Sequence, residues 1–200
     1  MRRLLPLAVL LAAAAVAFAY VETAQPPWFE RLRYPLRYSQ YVRVHAREHG
    51  LDPALLAAVI YQESKFRASA QSASGAIGLM QLTPATAHGI ALRTGGHAFR
   101  TSDLYDPEIN IRYGAWYLAN LFAKYHRERL VLAAYNAGQG NVDRWLAHAQ
   151  PIEFSETRAY VKRVEHLKSI YAKAWRSQLY EQSSHVLGGP THGRRVALGR

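Results

Sequence analysis

Three times along this chain a capping side chain is followed at once by proline: Asp52-Pro53, Thr83-Pro84 and Asp106-Pro107. An Asp or Thr oxygen satisfies amide groups left free at a helix start. Proline, with no N–H and a fixed φ, suits the first helical position. The spacing of apolar residues then continues each signal. Leu55, Leu56, Val59 and Ile60 give a buried face after Pro53 and predict a helix ending near Lys65. Ile109, Tyr113, Trp116, Tyr117 and Leu121 form a stripe after Pro107. Thr83-Pro84 opens a shorter helix that Gly89 weakens.

The remaining helices follow from the same rules. One runs from Tyr38 to about Glu48 and stops at Gly50; another covers Arg127–Asn136 and breaks at Gly138 and Gly140. Asn141 caps a short helix through Leu146, and Ser155 caps a long one to about Tyr180. Residues 67–76, rich in Ser, Ala and Gln, and Gly95-Gly96 read as loops. No strand alternation and no internal repeat interrupt this pattern. With 200 residues, half of them hydrophobic, the expectation is one compact all-α domain of several short helices.

The ends differ from the middle. Arg2 and Arg3 precede an apolar run from Leu4 to Tyr20, with Ala17-Phe18-Ala19 as a small-x-small site. Residues 1–20 therefore read as a signal peptide or an N-terminal anchor, and either places the domain outside the cytoplasm. Residues 21–37, with Pro26, Pro27 and Pro35, read as a linker or strap, and 38–180 as the folded domain. Residues 181–200 read as a disordered basic tail. Without cysteine there is no disulfide and no lipid on a terminal Cys.

The net charge of +11 fits nucleic acid, anionic lipid or an acidic polymer. Export disfavours nucleic acid and favours cell wall, whose peptides and associated polymers carry carboxylates or phosphates. Arg43, Arg47, Lys162, Arg163 and Lys168 read as solvated faces. His45 and His49 share a helical spacing that can hold a metal, but no third ligand follows. No calcium loop, phosphate loop or Ser–His–Asp set is evident, so no cofactor is expected.

Glu63 is the candidate for chemistry. It ends an apolar helix, where the helix dipole disfavours a carboxylate, and Ile60, Tyr61 and Phe66 are placed to desolvate it. Both effects raise a carboxyl pKa toward the range of a general acid. Taken by itself, a glutamate in this place is more commonly solvated. Downstream stand Gly75-Ala76-Ile77-Gly78-Leu79-Met80-Gln81 and Ala134-Tyr135-Asn136-Ala137-Gly138. Neutral hydrogen-bonding groups beside aromatic rings suit a sugar.

These residues resemble the soluble lytic transglycosylase family, whose catalytic domain has a goose-lysozyme-like helical fold. Glu63-Ser64 is similar to its glutamate-serine motif, Gly78 to Gln81 to its glycine-leucine-methionine-glutamine motif, and Ala134 to Asn136 to its alanine-tyrosine-asparagine motif. Ser72 stands where the family carries a cleft serine, and Phe154–Arg158 with Tyr160 resembles a segment that faces substrate. The likeness covers about Tyr38 to Trp175. It implies a glycan-binding cleft and a single catalytic acid, Glu63, with Ser72, Met80, Gln81, Tyr135, Asn136, Glu156 and Tyr160 holding peptidoglycan. Tyr135 is the expected hydrogen-bond partner near the acid.

Most glycosidases use two carboxyl groups. The resemblance implies one, with the muramyl 6-hydroxyl as internal nucleophile and a 1,6-anhydromuramyl product. A hydrolytic muramidase of the same fold and a non-catalytic wall-binding module remain open alternatives. The family's large members carry long helical domains ahead of the catalytic one, and here only the short strap precedes it.

Overall fold

The computed structural model describes residues 5–24 and 26–181, so most of the expected tail lies outside the described residues. Among them the chain forms ten α-helices and one 3-10 turn. They are α1 (Leu5–Ala24), α2 (Pro27–Arg33), α3 (Ser39–Glu48), α4 (Pro53–Ser64), α5 (Pro84–Thr94) and α6 (Pro107–Tyr125), then α7 (Glu128–Ala137), α8 (Gln139–Ala147), α9 (Ser155–Ala174) and α10 (Arg176–Tyr180). The 3-10 turn covers Thr101–Tyr105. The all-α expectation holds; β pairing among the described residues is confined to isolated bridges of Ile77 with Gln71 and Leu82.

All three cap-plus-proline signals start helices as read. Asp52 accepts from the amide of Ala54, Thr83 from that of Thr86, and Asp106 from that of Ile109. The helix α4 departs from the single buried face expected of it. Residues Ala54 to Ile60 are all buried, Ala57 and Ala58 included, so the helix is enclosed on every side. The small alanines let α9 and α3 pack close. Each enclosed Leu, Ile or Val contributes about 1.5–3 kcal/mol by leaving water.

Other boundaries shift for local reasons. In α6 the buried set is Ile111, Gly114, Ala115, Leu118 and Leu121 with Tyr113 and Tyr125, while Ile109, Trp116 and Tyr117 are only half-buried. The expected stripe is therefore rotated toward the small residues, against which Met80 packs. Asn141 does not cap α8; the helix begins at Gln139, and the Asn141 amide donates back to the Ala137 carbonyl. Ser155 makes no cap bond, and the long helix breaks at Trp175 before α10. The 3-10 turn, which no periodicity announced, is closed by Asp103 accepting from the Arg100 amide.

The segment before the domain is not free of structure. It contains α2 and is bonded to the end of α9: Arg31 donates to the Ala174 carbonyl at 2.6 Å, Trp175 to Tyr34 and Tyr171 to Pro35. Among the described residues no single helix is long and apolar enough to cross a membrane, though α1 and α2 together, bent by 82°, pass by length and composition.

Candidate active site

Glu63 lies in the last turn of α4. Two successive left-handed residues follow, Lys65 at φ 53° and Phe66 at φ 59°. That conformation costs non-glycine residues about 1–2 kcal/mol each. Phe66 is fully buried against Tyr61 and Tyr171, and its burial offsets the cost. The turn thus ends the helix sharply and leaves Glu63 at its rim.

Across from Glu63 stands α9, whose Tyr160 donates to Glu63 Oε1 at 2.6 Å. Tyr160 is almost wholly buried. Burial pushes the Glu63 pKa up to about 7, against the opposing pull of the Tyr160 hydroxyl and the Lys65 charge. No carboxylate is among the groups acting on it. Burial, with the Glu63 charge second, holds the Tyr135 and Tyr160 hydroxyls well above their ordinary range. Both therefore act as hydrogen-bond donors and not as bases.

The glycine-rich loop after α4 is locked from three sides. Ser64, buried behind Glu63, donates to the Leu79 carbonyl at 2.8 Å. Asn110, buried inside α6, accepts from the Met80 amide at 2.8 Å and donates to the carbonyls of Ile77 and Leu104. Tyr135 donates to the Met80 carbonyl at 2.8 Å. Gly78 sits at φ 82° where any Cβ would collide with the Asn110 amide and the Leu104 carbonyl, so only glycine fits.

Several expected roles change here. The acid itself is bonded by Tyr160, and Tyr135, expected to make a direct hydrogen bond near the acid, gives its hydroxyl to the Met80 carbonyl. Met80 is fully buried, its side chain filling the space that Gly114 leaves, so it is core and does not line a cleft. Ser72 turns its hydroxyl onto the Ala76 amide at 2.9 Å and onto Ser74. Gln81 donates to the carbonyls of Ala70 and Gly78. Asn136 is exposed and accepts from the buried Thr157 hydroxyl at 2.8 Å, which ties α7 to α9. Glu156 is exposed on the first turn of α9 and makes no side-chain bond there.

Sequence reading missed Ser64 and Asn110 as the residues that hold the loop. The signal available for Asn110 was its place one turn before Tyr113 and Gly114, on the same face of the helix. His45 is held between Glu48, 2.8 Å from Nδ1, and Glu108, 3.2 Å from Nε2. No metal-binding group of three His, Cys, Asp or Glu occurs among the described residues. Lys168 pairs with Glu128 and Asp52, while Arg163 lines a hollow with Gln62 and Lys65.

An all-helical domain carrying a half-buried, proton-retaining carboxyl at a helix end is the class of protein that fold and site define. The chain belongs to the transglycosylase SLT domain family, whose model matches residues 40–157. It is 35% identical over 144 residues to the soluble lytic murein transglycosylase of Salmonella typhimurium, covering 66% of this chain and 22% of that one. It is 41% identical over 113 residues to the membrane-bound lytic murein transglycosylase F of Desulfosudis oleivorans, covering 53% and 23%. Among solved structures it resembles an inactive mutant of the lytic transglycosylase Slt from Pseudomonas aeruginosa, with TM-score 0.69 and 32% identity over 86% of this chain and 30% of that one. The 70-kDa soluble lytic transglycosylase of Escherichia coli matches with TM-score 0.67 and 31% identity, over 72% and 25%. The chain spans less than a quarter of the length of these curated relatives.

Proposed function

We propose that the chain is a peptidoglycan lytic transglycosylase that uses Glu63 as its single acid and base. The observation that carries this is a carboxyl with a pKa pushed up to about 7, bonded by Tyr160 and with no carboxylate partner acting on it. Among the described residues no carboxylate contributes to the shift of Glu63, as a nucleophile or base of the usual second-carboxylate kind close to it would.

Protonated Glu63 donates to the oxygen joining N-acetylmuramic acid to N-acetylglucosamine. The muramyl acetamide carbonyl stabilises the positive charge that develops at the anomeric carbon. Glu63, now a carboxylate steadied by the Tyr160 hydroxyl, takes the proton of the muramyl 6-hydroxyl as that oxygen attacks. The glycosidic bond breaks, a 1,6-anhydro ring forms and no water is consumed. Because the nucleophile belongs to the substrate, orientation by binding replaces a second protein group. Tyr135 and Gln81 act chiefly by fixing the loop wall, while Asn136, Ser72 and Glu156 offer polar groups along the glycan.

The N-terminal segment fits export, with or without retention as a membrane tether, and the substrate lies in the cell envelope. Glycan strands of peptidoglycan are the partner, and nucleic acid is not. Digestion of purified peptidoglycan by wild type and Glu63→Gln tests the reading. Anhydromuramyl products from wild type alone support it, and equal product from both removes Glu63 from the chemistry.

A further inference from the structure

The short helix α2, Pro27-Trp28-Phe29-Glu30-Arg31-Leu32-Arg33, is folded inside out for a surface bathed in water. A surface helix in water turns its apolar stripe to the core and its charges to solvent. Here the one carboxylate, Glu30, is turned inward and is only 5% exposed, with no hydrogen-bond partner for its Oε2. Trp28 and Leu32, one turn apart on the opposite side, are 60% and 76% exposed. Phe29 is half-buried beside them, its ring meeting Trp28 edge-on at 5.8 Å.

Cations border this apolar strip. At roughly 100° per residue, Arg31 and Arg33 fall on its two sides, and both are exposed, as is Arg37. Lys173 and Arg176, also exposed, come from the junction of α9 and α10, where Arg31 bonds the Ala174 carbonyl. None of these five takes part in a salt bridge among the described residues. Between Glu22 and Glu48 the buried Glu30 is the one carboxylate in the sequence. The apolar surface continues upstream, where α1 exposes Leu10, Leu11, Val16 and Phe18.

We propose that the outward face of α2 docks on a bilayer of anionic lipid, lying in the plane of the headgroups with Trp28 and Leu32 at the acyl boundary. Tryptophan suits that depth, where its ring meets hydrocarbon and its N–H meets water, and arginines beside it reach headgroup phosphates. The inward carboxylate follows from the same setting, because on the outer face it would be repelled by the lipid. A second copy of the chain would cover the strip but would bring its unpaired cations against one another. The residues of α2 lie beyond the Ala17-Phe18-Ala19 site, so this contact stays with the domain whether or not the segment before it is removed. Arg31 bonds Ala174, Trp175 bonds the Tyr34 carbonyl and Tyr61 bonds that of Arg33, so α2 is tied to both α9 and α4. Docking therefore sets the orientation of the domain above the bilayer, which a flexible tether alone does not. The proposal is independent of the reaction that Glu63 performs.

Because the chain has no cysteine, a nitroxide can be attached at one chosen site of the full-length protein. Leu32→Cys and Leu92→Cys form a matched pair: Leu92 is 75% exposed and lies on α5, which packs on α6 and the 3-10 turn. In vesicles of phosphatidylcholine with phosphatidylglycerol, the label at position 32 should be open to oxygen and shielded from a water-soluble nickel chelate. The label at position 92 should stay open to the chelate, as should that at position 32 in vesicles of phosphatidylcholine alone. Adding Arg33→Gln should lower the ratio of shielded to open label at position 32 about fivefold, the share of one cation near such a surface. A label at position 32 as open to the chelate as that at 92, or equal shielding of the two, would overturn the assignment. So would shielding that needs no phosphatidylglycerol, a ratio unmoved by Arg33→Gln, or dipolar broadening between labels at position 32 that reveals a second copy on this face.

Discussion

The Tyr160 hydroxyl meets Glu63 Oε1 at 2.6 Å across 97 positions of sequence. Burial of Glu63 favours the neutral acid, whereas this bond favours the carboxylate. The carboxyl is therefore balanced near neutrality, where it can give a proton in one step and take one in the next.

Tyr160→Phe removes the group that favours the carboxylate, so the Glu63 pKa should rise above about 7. The alkaline limb of kcat/KM against pH should move to higher pH, with turnover reduced about tenfold as the carboxyl loses its anchor. Tyr135→Phe serves as the contrast: its hydroxyl bonds the Met80 carbonyl, so the limb should stay in place. A limb that moves equally in both variants would contradict these separate roles.

Stability should depend on pH through the same carboxyl. The folded pKa of about 7 lies above the ordinary 4.5, so the native state holds the proton more tightly than the unfolded chain. This contribution is fully present below about pH 4.5 and is lost as pH rises through 7. A shift of this size corresponds to roughly 2–3 kcal/mol, allowing for partial exposure. Glu63→Gln should therefore match wild type in acid and unfold at higher denaturant concentration than wild type at pH 8. Parallel stability curves for the two proteins across that range would show the carboxyl to be solvated.

The loop beside the acid should fail if its buried supports are removed. Asn110→Ala leaves the Met80 amide and the Leu104 carbonyl without the Asn110 partner, while the Ile77 carbonyl keeps the Leu82 amide. Each buried unsatisfied group costs about 1–3 kcal/mol, so a loss of roughly 3–5 kcal/mol in urea unfolding is expected. Gly78→Ala should cost at least as much, because its Cβ meets Asn110 and Leu104. Gly50→Ala, at φ 64° with open space around it, should cost only about 1–2 kcal/mol. Equal losses at the two glycines would mean that Asn110 does not crowd Gly78.

Much of this site could be read from local sequence, and the unread part depends on tertiary placement. The caps at Asp52, Thr83 and Asp106 act within a few residues, so their helices were legible. The raised pKa of Glu63 was legible too, because a helix end and apolar neighbours are local features. Which tyrosine meets the carboxyl was not: Tyr135 and Tyr160 both lie on helices facing it, and only the packing of α9 along α4 selects Tyr160. Met80 misled because a methionine in a glycine-rich loop looks accessible, while Gly114 on a distant helix makes room to bury it. The hollow lined by Arg33, Lys65 and Arg163 was invisible for the same reason, as its residues come from segments far apart in the chain.

Positive charge should guide the protein to anionic wall. Binding of Glu63→Gln to purified sacculi should weaken steadily with salt, since the Debye length falls from about 10 Å at 0.1 M to about 3 Å at 1 M. Binding unchanged over that range would leave the charge of +11 without a part in targeting.

The central claim is that one carboxyl acts with a nucleophile supplied by the substrate, and isotopic water tests it most directly. Digestion of purified peptidoglycan in oxygen-18 water, followed by mass spectrometry of the initial products, reads the nucleophile itself. Cleavage through Glu63 and the muramyl 6-hydroxyl gives anhydromuramyl ends, lighter by one water than reducing ends and free of label. Reducing muramic acid ends carrying oxygen-18 as the initial product would mean that water attacks, and would contradict the mechanism.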